Sequence, residues 1–180
     1  ITSVLLAPTW GENSILPLYG EAIIDILLQS GYRVITRPHP ETTRRSPQLI
    51  RKISDRFSAH NYFELDVDPR GDLWMQQTNL MISDWSGVAM EYAYGFEKPV
   101  LFIDLPRKIN NPRYAESKIE PIEVSVRNEI GKVVHPKNIS ELPSEITNIL
   151  SKNSGLIKDI RSSRAKHVFN QGRSARIAAN

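Results

Sequence analysis

Short apolar runs alternate with longer amphipathic segments along most of the chain. The first apolar run, residues 4–7, is followed by residues 16–29, where apolar side chains recur at helical spacing, Pro17 lies in the first turn and Gly31 ends the pattern. The same alternation continues to residue 169. The predicted strands are residues 4–7, 32–36, 61–67, 80–83, 99–104 and 132–135. The predicted helices are residues 16–29, 47–58, 73–78, 87–95, 139–150 and 156–169.

This alternation predicts an α/β fold in which a parallel sheet is covered by helices on both faces. Six strands are typical of a doubly wound, Rossmann-like sheet. The 180 residues are enough for one domain. We expect residues 1–150 to form a nucleotide-binding domain and residues 151–180 a basic helix and tail. The chain begins with Ile and enters a strand almost at once, which suggests part of a longer polypeptide.

Composition and charge exclude several classes of protein. The chain has no cysteine, so disulfide scaffolds, cysteine–zinc sites and thiol catalysis are excluded. The net charge of +3 is unevenly distributed, because residues 151–180 hold seven basic residues and one acidic residue. The rest of the chain is slightly acidic and lacks the basic, aromatic-rich face typical of nucleic-acid binding. The sequence therefore predicts no nucleic-acid partner.

Polar residues follow the predicted strands. In an open α/β sheet, ligands bind beyond the carboxyl ends of the strands, near the switch in strand order. The first and second strands are followed by Thr9 and Trp10 and by Arg37 and His39, and residues 83–87 follow the fourth. Further polar residues follow the third and fifth strands: Asp66, Asp68, Arg70, Asp104, Arg107 and Lys108. We expect these groups to converge on one edge of the sheet.

The segment formed by residues 83–87, Ser-Asp-Trp-Ser-Gly, joins a strand to a helix. The first-turn N–H groups and the dipole of that helix suit a phosphate or pyrophosphate, and Gly87 allows the backbone to approach a ligand closely. Ordinary helix capping by Asp84 or Ser86 explains the same pattern. Both interpretations stay open, since one residue can serve both purposes.

Two titratable residues near this segment are candidates for the same site. Glu91 is the only charged residue in a helix that is apolar nearly all round, a pattern typical of a buried helix. It lies about one turn from Gly87 and is a candidate for a ribose contact or for a salt bridge. His39 lies between two prolines that fix extended geometry, and it is either a positioned phosphate ligand or proton carrier, or an exposed loop residue.

Other catalytic classes lack their motifs. The chain has no P-loop lysine pattern, no Gly-x-Gly-x-x-Gly and no Gly-x-Ser-x-Gly elbow. No cluster of His, Asp and Glu has the spacing of metal ligands, so no metal site is predicted.

Six segments in order resemble the CDP-glycerol glycerophosphotransferase family, which includes the teichoic-acid polymerases and primases, in its C-terminal domain. The opening Leu-Ala-Pro-Thr-Trp resembles the family's APTWR start, and Arg-Pro-His-Pro at residues 37–40 is similar to its R-x-H-P element. Residues 82–88 resemble its SDYSS motif, and Glu-Tyr-Ala at residues 91–93 stands where the family has Asp-Tyr/Phe-Ala. Residues 98–102 and 170–176 resemble its KPI strand and its closing DG-x-AS-x-R segment.

The resemblance implies one half of a GT-B fold that binds a CDP-glycerol-like, nucleotide-activated donor without a metal or other cofactor. It implies that His39 contacts the donor phosphates or stabilises their developing charge. The pyrophosphate-binding residues would be Ser83, Asp84, Ser86 and Gly87. Glu91 would contact the ribose, Thr9 and Trp10 would flank the nucleotide, and Arg37 belongs to the same binding set.

The same resemblance implies that an N-terminal domain supplies the acceptor contacts and a catalytic base, so this chain alone would be inactive. It implies a cytoplasmic enzyme that acts on a cell-surface polymer or a lipid-linked acceptor. Lys158, Arg161 and Arg164, with Arg173 and Arg176, would contact that domain, the donor phosphates or an anionic membrane surface, or form a solvated basic helix.

Departures from the family pattern leave alternatives open. Gly11 replaces the usual Arg, Trp85 replaces Tyr, and Gly87 replaces the second Ser. Residues 104–123, which include Arg107, Lys108 and Asn-Asn-Pro at 110–112, match no family motif and form either a basic anion-binding loop or a solvated one. The alternatives are half of a GT-B glycosyltransferase or UDP-sugar epimerase, and a non-catalytic α/β binding module.

Overall fold

One six-stranded parallel sheet organises the chain. The computed structural model describes residues 1–68, 72–107, 113–117 and 120–179. The strand order is β3-β2-β1-β4-β5-β6, and every neighbouring pair is parallel. This order is that of a doubly wound Rossmann sheet, so the predicted fold class is confirmed. The strands are β1 (Ser3–Leu6), β2 (Arg33–Thr36), β3 (Phe63–Leu65), β4 (Leu80–Ser83), β5 (Val100–Ile103) and β6 (Gly131–Val134).

The helices cover both faces of the sheet. The longer ones are α1 (Ile15–Gln29), α3 (Pro47–Phe57), α5 (Val88–Phe96), α8 (Leu142–Ser151) and α9 (Asn153–His167). The shorter ones are α2 (Pro40–Arg45), α4 (Asp72–Gln77), α6 (Ile122–Ser125), α7 (Arg127–Ile130) and α10 (Ser174–Ala178). No helix in the described ranges is long and apolar enough to cross a lipid bilayer.

Alternate residues of each strand supply two separate cores. On β1, Val4 and Leu6 face α1, α3 and α8, whereas Leu5 faces α5, α7 and α9. Both sets are fully buried, as expected for a parallel sheet between two helical layers. The near-continuous apolar runs in the sequence therefore reflect burial on both faces of the sheet.

The predicted and observed elements differ mainly where helices are short. The segments α2, α6, α7 and α10 were not predicted. The last three have only four or five residues, too few to show helical periodicity, and α2 has no apolar residue after Pro40. The predicted third strand, residues 61–67, is reduced to Phe63–Leu65. The predicted helix at residues 139–150 begins as a 3₁₀ turn (Pro136–Glu141) and becomes α-helical only from Leu142.

Helix α9 packs on this domain through both apolar and charged contacts. Ile160 is fully buried, and the Ser163 hydroxyl lies 2.8 Å from the Tyr94 hydroxyl of α5. Arg161 and Arg164 bind the two carboxylate oxygens of Glu97, which ends α5 in the left-handed region at φ 55°. Two basic residues of the C-terminal segment, Arg161 and Arg164, thus form ion pairs within the domain, whereas Lys158, Arg173 and Arg176 are exposed.

The packing of α9 gives a stability prediction. Replacing Ile160 by Ala removes a fully buried side chain and should lower the free energy of unfolding by about 2–5 kcal/mol. Urea denaturation followed by circular dichroism measures the change. Lys158→Ala, on the exposed face of the same helix, is the control and should shift the value by less than about 0.5 kcal/mol. An Ile160→Ala chain as stable as the wild type would contradict the packing of α9 on this domain.

Candidate functional site

The predicted residues meet at the carboxyl edge of the sheet. The switch in strand order lies between β1 and β4, so the β1–α1 loop (residues 7–14) and the β4–α5 segment (residues 84–87) lie side by side. The segment after β2, with Arg37 and His39, adjoins the β1–α1 loop. Since ligands of doubly wound sheets bind at this point, the topology puts the candidate residues where a ligand is expected.

Asp84 is the buried centre of this edge. Its Oδ1 accepts hydrogen bonds from the backbone N–H groups of Thr9 and Trp85, each at 2.7 Å. Its Oδ2 accepts one from the N–H of Ile15, the first residue of α1, at 3.0 Å. One carboxylate therefore connects the β4–α5 segment to both ends of the β1–α1 loop.

Burial and hydrogen bonding act on Asp84 in opposite directions. Removal from water raises the pKa of the Asp84 carboxyl, and the three backbone amides reduce that increase because they favour the ionised form. Ser83 is likewise buried, and its hydroxyl donates to the Ala7 carbonyl at 2.7 Å. Both side chains are occupied within the protein, and this geometry favours a role in shaping the loops.

The N-terminus of α5 presents free backbone donors. Its first hydrogen bonds run from Ala89 to the Ser86 carbonyl at 3.2 Å and from Met90 to the Gly87 carbonyl at 3.0 Å. The N–H groups of Ser86, Gly87 and Val88 have no acceptor among the residues that the structure describes. Gly87 is exposed, and a Cβ added there would meet nothing within 4 Å. This end of α5 can accept an anion against its backbone.

Glu91 lies on the exposed side of α5, so the expectation of a helix buried all round was wrong. Gly87, Glu91 and Gly95 follow one another at four-residue spacing and form a solvent-facing stripe, whereas Ala89, Tyr92, Ala93 and Tyr94 are buried. The two glycines hid this stripe in the sequence because they count as neither polar nor apolar. Glu91 makes no salt bridge with a described residue, and it lies one turn from Gly87 on the same exposed stripe.

His39 both caps a helix and contacts the neighbouring loop. Its backbone is extended and its Nδ1 accepts from the N–H of Glu41 at 3.1 Å, which begins α2 at Pro40. In the neutral ring the proton therefore lies on Nε2. The imidazole is half-buried, and its centroid is 6.3 Å from a ring of Trp10. His39 therefore lies beside the β1–α1 loop, next to Trp10 of that loop.

Charged pairs surround His39 on α2 and β3. Glu41 binds Arg44 and Arg45, at 2.7 and 2.6 Å, and these guanidinium groups lower the pKa of Glu41 to about 2. Arg37 forms an ion pair with Asp66, and both border a cleft of about 320 Å³. The Arg37 side chain is thus already paired within the domain at this edge.

Sequence reasoning missed Arg127. Its side chain is almost fully buried, its Nη1 donates to Asp104 at 2.9 Å, and its guanidinium lies 4.0 Å from a ring centroid of Trp85. The residue falls in a stretch to which we assigned no element, so no pattern indicated it. Trp85, Asp104, Arg107 and Arg127 border a cleft of about 450 Å³. Arg70, Lys108 and residues 110–112 of the predicted basic loop lie outside the described residues.

The fold and this edge define the class of the protein: a doubly wound, Rossmann-like domain in which a helix N-terminus with free backbone N–H groups lies beside the switch point. The profile of the family described as CDP-Glycerol:Poly(glycerophosphate) glycerophosphotransferase matches residues 2–177. The chain belongs to this family, which confirms the resemblance inferred from the motifs.

Curated and solved relatives are more distant. The minor teichoic acid biosynthesis protein GgaB of Bacillus subtilis is 25% identical over an alignment of 126 residues, and the match covers 55% of this chain and 13% of GgaB. The UDP-GlcNAc 2-epimerase of Methanocaldococcus jannaschii superposes on 84% of this chain, and 40% of its own length, with a TM-score of 0.54 at 17% identity. The C-terminal domain of the Francisella tularensis glycosyl transferase LpcC superposes on 92% of this chain, and 85% of its own length, with a TM-score of 0.54 at 10% identity.

These solved structures share the fold with this chain. The chain spans about an eighth of GgaB and two fifths of the epimerase.

The three hydrogen bonds of Asp84 give a prediction for Asp84→Asn. The amide group offers one acceptor oxygen, and its NH₂ faces a backbone N–H that it cannot accept from. We expect the free energy of unfolding to fall by about 1–3 kcal/mol at neutral pH. Urea denaturation measures the free energy of unfolding. Asp55→Asn, on the exposed face of α3, is the control.

The pH dependence has a defined sign. Because burial raises the pKa of Asp84 above its unfolded value, this carboxyl stabilises the fold most below the unfolded pKa, and the contribution is lost as pH rises through the folded pKa. The stability difference between wild type and Asp84→Asn should therefore be larger near about pH 4 than near pH 7. A difference that grows with pH would contradict a raised pKa.

Proposed function

We propose that this chain is the donor-binding half of a transferase. The enzyme moves glycerol phosphate, or a related polyol phosphate, from a CDP-activated donor to a cell-surface polymer or lipid-linked acceptor. Family membership supports the type of chemistry. The observation that carries the proposal for this chain is the set of free N–H groups at the start of α5, with Glu91 on the same exposed face.

The donor diphosphate binds at the N-terminus of α5 in this proposal. Three backbone N–H groups and the positive end of the helix dipole favour an anion there, and Gly87 leaves room for it. Glu91 lies one turn further along and accepts a hydrogen bond from a ribose hydroxyl. Thr9 and Trp10 flank the nucleotide from the β1–α1 loop, while Ser83 and Asp84 hold the loops in place behind it.

The reaction needs stabilisation of the leaving group. An acceptor hydroxyl attacks the phosphorus that carries the glycerol, the bond to the other phosphate breaks, and CMP leaves with the bonding electrons. Negative charge develops on the CMP phosphate, where fixed N–H donors are most effective. His39 donates from Nε2 to this phosphate, since its Nδ1 is occupied by the Glu41 amide. A base on the other half of the enzyme takes the acceptor proton.

The other partners are also part of the proposal. An N-terminal domain of the same polypeptide faces the α5 stripe and closes the cleft. Lys158, Arg173 and Arg176, which are exposed, are available to that domain or to an anionic membrane surface. The described residues contain no cluster of three or more metal-ligating side chains.

A second candidate function is half of a UDP-sugar enzyme. The fold is shared with an epimerase whose structure contains UDP-GlcNAc and UDP, and a helix N-terminus suits either nucleotide diphosphate. The two candidates differ in the nucleotide base that the site must accept, cytosine or uracil. A titration with both nucleotides therefore discriminates between them.

Nucleotide binding is the first test of the proposed function. Calorimetric titration of the 180-residue chain should show tighter binding of CDP-glycerol and CDP than of UDP and UDP-GlcNAc. Gly87→Val should weaken CDP binding about tenfold or more, because the side chain occupies the place of the phosphate. Gly95→Val is the matched control, since it lies two turns away in equally open space. A preference for uridine nucleotides would favour the second candidate. Equal losses of CDP affinity in Gly87→Val and Gly95→Val would show that the phosphate does not bind at the N-terminus of α5.

The role of His39 is tested by His39→Asn. Asparagine is a good N-cap residue, so α2 should be retained and the free energy of unfolding should change by less than about 0.5 kcal/mol. The variant lacks the Nε2 donor, and its affinity for CDP should fall about ten- to a hundredfold, equivalent to one hydrogen bond to a charged group. His60→Asn, which removes an exposed imidazole far from this edge, is the control. Unchanged CDP affinity in His39→Asn would show that His39 serves only as a cap.

A further inference from the structure

The anion-binding N-terminus of α5 depends on how the β4–α5 segment is held. Asp84 fixes its start, and the indole of Trp85 anchors it on the opposite side. We propose that Arg127 is a positioning residue for the phosphate-binding N–H groups and that it acts through Trp85. This inference rests on the proposed function, because it requires a phosphate group to bind at the start of α5.

Trp85 is fixed at its edge and on its face. Its Nε1 donates to the Leu105 carbonyl at 2.7 Å, and the Arg127 guanidinium lies 4.0 Å from a ring centroid. A desolvated guanidinium over an indole is among the strongest cation–π contacts. Ser86 and Gly87 follow Trp85 directly in the chain, so a fixed indole restricts the direction of their N–H groups.

Arg127 is itself held rigidly. Its side chain is 5% exposed, Nη1 binds Asp104 at 2.9 Å, and Nη2 lies 3.3 Å from the Ile103 carbonyl. The edge of the guanidinium makes these hydrogen bonds while its faces lie near the rings of Trp85 and Phe102. Lysine lacks a planar group and cannot make both kinds of contact at once.

The charge of Arg127 also offsets that of Asp84. Asp84 is the first residue of the phosphate-binding segment, and its ionised carboxylate would repel a bound phosphate. The positive charge of Arg127 interacts with the Asp84 carboxylate. A buried cation next to the segment reduces this repulsion where the surrounding dielectric is low.

The test compares binding of CDP with binding of cytidine, which lacks phosphates, by NMR titration of the 180-residue chain. Arg127→Met should weaken CDP binding about tenfold and leave cytidine binding unchanged, because only the phosphate loop is disturbed. Arg127→Lys should weaken CDP binding nearly as much as Arg127→Met does. Arg51→Met, which removes an exposed arginine from α3, is the control and should leave both affinities unchanged. An unchanged CDP affinity in Arg127→Met, or full rescue by lysine, would overturn the proposal.

Trp85→Phe, alone and combined with Arg127→Lys, keeps the inference testable if Arg127→Met does not fold. This variant keeps an aromatic face but loses the bond to Leu105, and it should also lower CDP affinity without affecting cytidine. The double variant should lose less than the sum of the two single losses, because both act on one contact. Additive losses would overturn the coupling. Absence of CDP binding in the wild-type chain would instead overturn the proposed function.

Discussion

One buried carboxylate determines the shape of the candidate ligand-binding edge. Asp84 accepts hydrogen bonds from three backbone N–H groups that belong to the β1–α1 loop, the start of α1 and the β4–α5 segment. These segments are about 70 residues apart in sequence and meet only because β1 and β4 are neighbours in the sheet. Burial of the carboxylate is unfavourable, and the three amides compensate for part of that cost. The loops are therefore fixed before any ligand binds.

The residues that hold the site and the residues that face a ligand are different. Ser83, Asp84 and Arg127 are buried and make their contacts within the protein. Gly87 and Glu91 lie on an exposed stripe of α5, and Gly87 is one of the three residues whose N–H groups are free. A rigid, inward-facing framework suits catalysis that depends on donors fixed in advance, because no reorganisation is needed when charge develops.

Helix α9 joins this framework from the opposite end of α5. Its two arginines bind Glu97 at the C-terminus of α5, where cations are favoured by the helix dipole. The same helix is therefore fixed at its C-terminus by α9 and left open at its N-terminus. Part of the positive charge of residues 151–180 therefore serves to hold α9 against α5.

The sequence by itself determined the strand–helix alternation, the doubly wound class and the segments at the carboxyl edge. Two-sided burial produces continuous apolar runs, and the motifs at residues 37–40 and 82–88 are local in the chain. Local patterns also indicated His39 and Gly87, because prolines and a strand-to-helix junction leave a clear signal.

Only the tertiary structure decided which of these side chains face outward. Asp84 and Glu91 are both carboxylates near the junction of β4 and α5, yet one is buried and the other exposed. Arg127 gave no signal, because its partners Trp85 and Asp104 are 42 and 23 residues away in sequence. Long-range contacts of this kind depend on strand order, which no local pattern encodes.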